Sequence, residues 1–378
     1  MRVVHLIYSH SIGGAEKYLL DLLPGIKEKG IECSVICVSP SSQIKKLKTF
    51  VDVLEGRGIR VMNITAGRRG IVRAAYMVSK YCRQNNIQVI HSHLFNADMI
   101  AVLAKKFFNR KLFLLSTKHG YSEKYFVRHC KDMGAKDYTL YFFLSKFICR
   151  NMQECFAVSK AMADLYYDLK LVKKRMPYIH HGVTFAEELP EDTPAMENQY
   201  PALLIVGRLA EVKGHKYLLN AMPAVIKKYP QVRLEVLGQG EKENEIKVQA
   251  VQLGINGNID FLGFRSDIEK FFLQADVVVQ PSLFESFGLV YIEAFAHKKP
   301  VIAFSNNSSG EVITHNETGL LAPLFDADAL ARHILYLLEN KSERERLGNN
   351  GYKRYTEYFN VERMVQQTVD WYKSLPIK

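Results

Sequence analysis

Short apolar runs alternate with amphipathic stretches along the first half of the chain. Val3–Tyr8, Glu32–Val38, Arg60–Ile64, Val89–His93, Leu112–Thr117 and Cys155–Val158 have the length and side chains of strands. Gly14–Lys29, Val72–Asn85 and Ala97–Phe108 carry apolar residues at helical spacing. Strand, helix, strand in series predicts a parallel sheet covered on both faces. The segment 186–200 breaks the rhythm: it is acidic, holds Pro190 and Pro194, and has no apolar period, so it reads as a linker. The alternation then restarts. Leu203–Val206, Arg233–Leu237, Ile259–Leu262, Val277–Gln280 and Val301–Phe304 read as strands. Lys216–Lys228, Glu241–Leu253, Ser266–Gln274, Leu289–Ala296 and Ala327–Leu338 read as helices. A last amphipathic stretch, Val361–Leu375, carries Met364, Val369 and Trp371 on one side. The expected organisation is therefore α/β, with a first domain over 1–185, the linker 186–200, a second domain over 201–358, and a terminal segment 359–378 packing back on the first domain.

Length agrees with this reading, since 378 residues suit two domains of roughly 150–200 residues each. With 48% hydrophobic and 24% charged residues the chain is neither disordered nor fibrous. Charge adds an asymmetry. Residues 1–185 carry 30 Lys/Arg against 13 Asp/Glu, whereas residues 186–378 carry 21 against 26. An anionic partner is thus expected for the first half alone. Its basic residues interleave with aromatics in Lys105-Lys106-Phe-Phe-Asn-Arg110-Lys111 and across Tyr125–Arg150, a composition suited to an anionic membrane face. The first residues read as a strand with no cleavage site after it. The apolar run Tyr138–Cys149 is interrupted by Lys146 and falls short of the about 18–20 residues a membrane span needs. A cytoplasmic protein, peripheral at the membrane, is the expectation. Six scattered cysteines without a C-x-x-C pair suggest reduced thiols.

Candidate chemistry clusters where strands should end. After the first strand comes Ile12-Gly13-Gly14, where glycine backbone and a helix N-terminus can approach an anion. His93 and His119 end later strands of the same half, at the edge that binds ligands in open α/β sheets. Neither has partners at metal-ligand spacing. In the second half, Gly207-Arg208 and Lys213-Gly214 bracket a short loop, so that a forked guanidinium and a point-charge ammonium can serve one diphosphate. Gly238 follows the next strand, and Gly263-Phe264-Arg265 the one after it, where backbone can cradle a planar base. The segment Glu285-Ser-Phe-Gly-Leu-Val-Tyr-Ile-Glu293 places one glutamate in a loop and another in the second turn of a helix. The helix begins near Gly288-Leu289, with free N–H groups for an anionic ligand. Asp326-Ala-Asp328 has the form of a metal-binding D-x-D, but its position before an apolar helix reads as a cap.

Taken in order, Gly13-Gly14, Ser159, Gly182-Val183, Gly207-Arg208 to Lys213-Gly214, Gly238-x-Gly240, Glu285 to Glu293 and Thr318-Gly319 resemble the retaining glycosyltransferases of family 4 (glycosyltransferase group 1). The resemblance implies a GT-B fold, two Rossmann-like domains facing a central cleft, and transfer from a nucleotide sugar without a metal or other cofactor. It implies that Arg208 and Lys213, with Gly13, Gly14, Gly288 and Leu289, hold the donor diphosphate. Glu293, Gly238, Phe264 and Arg265 would serve the ribose and base. Glu285 and His119 would stand at the transferred sugar, and His93 on the acceptor side. UDP is expected over GDP, and a glycan or lipid-linked acceptor over nucleic acid, for which no recognition motif is present. Two departures bear on the substrates: His181 precedes Gly182 where the family often has Asn, and Asn306-Asn307 precede Ser308 where it often has Gly-Gly. An epimerase or phosphorylase on the same fold, or a non-catalytic nucleotide-sugar or nucleic-acid binding protein, are the alternatives.

Overall fold

A computed structural model describes residues 1–67, 70–129, 139–184 and 200–377. The linker expected over 186–200 lies outside the described residues except at Tyr200, as does part of the basic segment Tyr125–Arg150. The chain divides into two compact units: Met1–Ser122, Gly134–Thr184 and Asn360–Lys378 in one, Glu123–Met133 and Phe185–Phe359 in the other.

The first unit opens with β1 (Arg2–Tyr8), α1 (Gly14–Glu28), β2 (Glu32–Ser39), α2 (Lys48–Gly56), β3 (Arg60–Thr65), α3 (Ile71–Gln84), β4 (Val89–His93) and α4 (Phe95–Leu103). After a π-helical turn over Ala104–Phe108 comes β5 (Phe113–Lys118). Helix α5 (Glu123–His129) sorts with the second unit. Then α6 (Leu140–Asn151), β6 (Glu154–Ala157) and α7 (Lys160–Asp168) complete the first pass. The sheet is parallel, in the order β3-β2-β1-β4-β5-β6. Alternation along β1 sends Val3 and Ile7 to one face and Val4, Leu6 and Tyr8 to the other. Helices α1 and α2 cover the first face, and α3 and α4 the second.

The second unit contains β7 (Ala202–Val206), α8 (His215–Lys228), β8 (Arg233–Leu237), α9 (Glu243–Gln252), β9 (Ile259–Gly263), α10 (Ile268–Gln274) and β10 (Val277–Gln280). It continues with α11 (Leu289–Ala296), β11 (Val301–Phe304), α12 (Ser309–Val312), β12 (Gly319–Ala322), α13 (Ala327–Glu339) and α14 (Lys341–Tyr358). Its sheet runs β12-β11-β10-β7-β8-β9, again all parallel. Asp326 caps α13 by accepting from the Ala329 N–H at 2.8 Å. The final helix α15 (Val361–Ser374) belongs to the first unit, where Met364, Val365, Val369 and Tyr372 enter the core beside α1.

Helix α14 and strand β12 are among the elements that apolar periodicity does not pick out. Helix α14 is 18 residues long and strongly polar. It packs through Gly348, where an added Cβ would lie 2.0 Å from the Lys298 carbonyl oxygen, and through Gly351 against Phe295. Strand β12 begins on a glycine. Helix α5 precedes the expected division at residue 185 yet sorts with the second unit, with Phe126 buried and stacked on Phe284.

One charged contact lies deep in the first unit. Lys118 Nζ sits 2.6 Å from Asp98 Oδ2, with both side chains 4% exposed. Ser92 and Ser116 donate to the other Asp98 oxygen at 2.6 and 2.7 Å. Burial alone would lower the Lys118 pKa, but the Asp98 carboxylate outweighs it and raises it. Asp98→Asn leaves this cation without a charged partner and is expected to cost about 3–5 kcal/mol in urea unfolding. A loss below about 1 kcal/mol would show that the pair is not buried as described.

Candidate active site

Both sheets have the strand order of a doubly wound fold. Ligands bind such sheets at the carboxyl ends of strands, where the order reverses. In the second unit the reversal falls between β7 and β10. The loops that follow these two strands carry Lys213 and Glu285.

The two loops are joined by their backbones. Gly214 has φ +71°, and a Cβ there would lie 1.8 Å from the Pro281 carbonyl oxygen, so only glycine permits the approach. The Leu283 N–H donates to the Val212 carbonyl at 2.8 Å. This contact delivers Lys213 Nζ to 2.7 Å from Glu285 Oε1, and the Ser282 hydroxyl donates to the same oxygen at 2.7 Å. From the loop after β11, Asn307 donates to the Glu285 carbonyl at 2.8 Å and accepts from its N–H at 3.3 Å, while Ser308 donates to that carbonyl at 2.9 Å. The result is a carboxylate oxygen held by an ammonium and a hydroxyl on a fixed main chain, with the ammonium still partly exposed. Gly288 caps α11 with φ +98°, and its position immediately after this loop sets the helix N-terminus beside it.

Buried atoms nearby lack partners. Among the described residues, Gln280 Oε1 and both ring nitrogens of His215 have no hydrogen bond. Burial, with a smaller contribution from Lys213, lowers the His215 pKa to about 4, so the ring is neutral at pH 7. Orphaned polar atoms in a native fold mark a place where water or a ligand belongs. Gln280, Ser282 and His215 were not singled out from the sequence. Their signal is positional: Gln280 ends β10, Ser282 follows it, and His215 opens α8 after the β7 loop.

The other expected residues are placed as follows. Arg208 is exposed and ion-paired with Glu123 of α5. An exposed pair contributes at most about 1 kcal/mol, so a diphosphate can displace the glutamate. Gly238 lies against the Gly207 carbonyl. Phe264 is 68% exposed after β9, and Arg265 is paired with Asp267 at 2.8 and 2.9 Å. Leu289 opens α11, and Glu293 is buried in its second turn. In the first unit the reversal falls between β1 and β4. Gly13 and Gly14 follow β1 and start α1. The Gly13 N–H donates to Glu16 at 2.8 Å, so in this conformation that amide is not open to a phosphate. His93 and His119 are brought together, Nδ1 to Nε2, at 3.0 Å. His5 and His91 join them from adjacent strands, as spacing along the chain could not show.

The sequence family described as Glycosyltransferase Family 4 matches residues 12–187, and that described as Glycosyl transferases group 1 matches residues 188–354. Crystalline Anabaena HepE in complex with UDP superposes with a TM-score of 0.80 at 22% identity, covering 99% of this chain and 100% of that one. The fold is GT-B, with two Rossmann-like domains. Phosphatidyl-myo-inositol mannosyltransferase of Mycolicibacterium smegmatis is 29% identical over 346 residues, which is 88% of this chain and 83% of that protein. An uncharacterized glycosyltransferase of Methanocaldococcus jannaschii is 33% identical over 173 residues, 45% of this chain and 44% of that protein. The chain belongs to the group 1 glycosyltransferases and is a sugar-transferring enzyme.

The Gly214 contact can be tested directly. Gly214→Ala is expected to cost more than about 1 kcal/mol, because it meets both a positive φ and a backbone oxygen. Thermal unfolding with and without UDP should show a lower Tm and a smaller nucleotide-induced rise. A variant with wild-type Tm and wild-type UDP response would contradict the weld between the two loops.

Proposed function

We propose that this enzyme transfers a sugar, with retention of anomeric configuration, from a UDP-sugar to a glycan or lipid-linked acceptor at an anionic membrane surface. The observation that carries the proposal is the Lys213–Glu285 pair, set at the strand-order reversal with the α11 N-terminus beside it. The UDP in the HepE complex supports uridine over guanosine. The phosphatidyl-inositol acceptor in the name of the Mycolicibacterium relative supports a lipid-linked acceptor.

As the bond from the anomeric carbon to the phosphate oxygen breaks, its electron pair goes to the diphosphate. Lys213, Arg208 and the α11 N-terminus then stabilise the growing charge, a role for which no metal is needed. The acceptor oxygen bonds to the same face of the carbon, and its proton passes to the departing phosphate oxygen. Glu285 orients the sugar and holds Lys213 in place. Glu293 serves the ribose, and Gly238, Phe264 and Arg265 serve the base.

The membrane part of the proposal rests on a surface of the first unit. Phe107, Leu140 and Phe143 are 71%, 74% and 55% exposed. They lie on the π-helical turn and α6, which meet where Lys106 Nζ sits 4.7 Å over the Phe147 ring. Exposed apolar side chains among lysines suit the interface of an anionic bilayer. No helix among the described residues is long and apolar enough to cross one.

Two measurements follow. With EDTA present, Lys213→Ala is expected to lower kcat/KM for UDP-sugar by about 10²–10³-fold. Near-wild-type turnover would remove Lys213 from the mechanism, and activity lost in EDTA and restored by Mn²⁺ would refute metal independence. The protein should sediment with phosphatidylserine vesicles at low salt and less so at high salt, and a Phe107→Ser/Leu140→Ser/Phe143→Ser variant should sediment less at either salt. Equal sedimentation of variant and wild type would contradict the membrane surface.

A further inference from the structure

The first unit buries a continuous chain of polar side chains behind His119. His119 Nε2 meets His93 Nδ1 at 3.0 Å, and His93 Nε2 meets His5 Nδ1 at 3.1 Å. His5 Nε2 meets the Tyr372 hydroxyl of α15 at 3.3 Å. That hydroxyl meets His91 Nδ1 at 2.5 Å, and His91 Nε2 meets Thr117 Oγ1 at 2.7 Å. His5, His91, His93, Thr117 and Tyr372 are all buried, and His119 alone is partly exposed.

His5, His91 and His93 are close enough for one metal ion to reach a nitrogen of each. Hydrogen bonding accounts for them otherwise: all six of their ring nitrogens face a partner, and no carboxylate joins the group. Burial is also the main cause holding the imidazoles uncharged. It lowers the pKa of His5 and His119 to about 3 and puts His91 and His93 well below the usual range.

Neutral imidazole has one N–H and one lone pair, so each ring that donates on one side must accept on the other. A Tyr372 hydroxyl that accepted from both neighbours would strand its own hydrogen in the interior, so the direction of donation is common to the whole chain. Five contacts take five hydrogens, whereas four imidazoles and two hydroxyls carry six, so one hydrogen must leave the chain at an end. At the inner end Thr117 is fully buried, and the buried Tyr18 hydroxyl lies beside it and beside Thr368. Donation from Thr117 to His91 leaves the Thr117 oxygen to accept from the buried Tyr18 hydroxyl, whereas acceptance from His91 would turn the Thr117 hydrogen onto Tyr18 and leave a buried phenol hydrogen to be placed, so Thr117 is taken as the donor. Donation then runs outward from Thr117 to His91, Tyr372, His5, His93 and His119.

We propose that these six side chains form a tautomer-locking relay. Every imidazole carries its proton on Nδ1, and His119 presents a fixed, uncharged Nδ1–H donor at the exposed end. Thr117, His91, Tyr372, His5 and His93 are then positioning residues for His119. Its use in catalysis rests on the transfer reaction proposed above. A ring so locked offers a hydrogen-bond donor to an oxygen and cannot act as a base at that nitrogen.

The test is long-range ¹H–¹⁵N spectroscopy of the full chain labelled with ¹⁵N-histidine, with resonances assigned through single His→Asn variants. The relay requires the Nδ1–H tautomer at all four histidines at pH 7. An Nε2–H tautomer or an imidazolium at any of the four overturns it. Tyr372→Phe keeps the ring and cuts the chain between His91 and His5, so His5, His93 and His119 lose the direction set from Thr117 and are expected to show a mixture of Nδ1–H and Nε2–H tautomers. Unchanged, pure Nδ1–H tautomers at His5, His93 and His119 in that variant would show that the rings are set independently. Stoichiometric Zn²⁺ that raises the Tm of wild type but not of His93→Asn would replace the relay with a metal site. None of these spectra needs a sugar donor, so the relay and the transfer reaction fail separately.

Discussion

The candidate site of the second unit depends on one close approach, the backbone of Gly214 against the carbonyl of Pro281. Parallel strands bring their carboxyl ends to one edge, but that alone leaves the loops after β7 and β10 as independent segments. The glycine removes the side chain that would keep them apart. Lys213 precedes it and Glu285 follows the loop it touches, so the ion pair is a consequence of the backbone contact. Asn307 and Ser308 then fix the Glu285 main chain from the neighbouring strand's loop. Removing either charge would alter the electrostatics, whereas removing the glycine would alter the geometry that creates them.

The two units use polar groups in opposite ways. Around Lys213 the charges are partly exposed and held by neutral donors, an arrangement that can exchange a carboxylate for a phosphate. Behind His119 the groups are buried and uncharged, and their hydrogen bonds fix direction without a net charge. Between these extremes stands Lys118–Asp98, buried and charged, with two serine hydroxyls satisfying the carboxylate. Its neighbour His119 has its pKa lowered by burial first and by His181 and Lys118 after it. The ion pair next to the relay thus helps to keep His119 neutral.

Much of this was legible along the chain. The strands alternate or run apolar, and β4, β8, β10 and β11 fall on the residues that pattern picks out. The loops bearing Lys213 and Glu285 announce themselves by glycine beside charge. Helix α14 was hidden because its contacts are made by Gly348 and Gly351, which carry no hydrophobic signal. Helix α5 reads as part of the basic half because chain order says nothing of Phe126 stacking on Phe284. His5 looks like an interruption of an apolar strand. It becomes a member of the relay only when β1 pairs with β4 in a register that sets it opposite His91. Ser282 and Asn307 matter through one and two hydrogen bonds to Glu285, and no periodicity encodes such bonds.

The central claim is that Lys213, held by Glu285 at the strand-order reversal, is the ammonium that binds the donor diphosphate. Calorimetric titration of UDP and of uridine into wild type and Lys213→Ala isolates that contact, because the nucleoside lacks the phosphates. The account predicts that UDP binds wild type at least about 100-fold more tightly than uridine, and that the variant loses about tenfold or more of this difference while its uridine affinity is unchanged. An undiminished difference between UDP and uridine in the variant would contradict it.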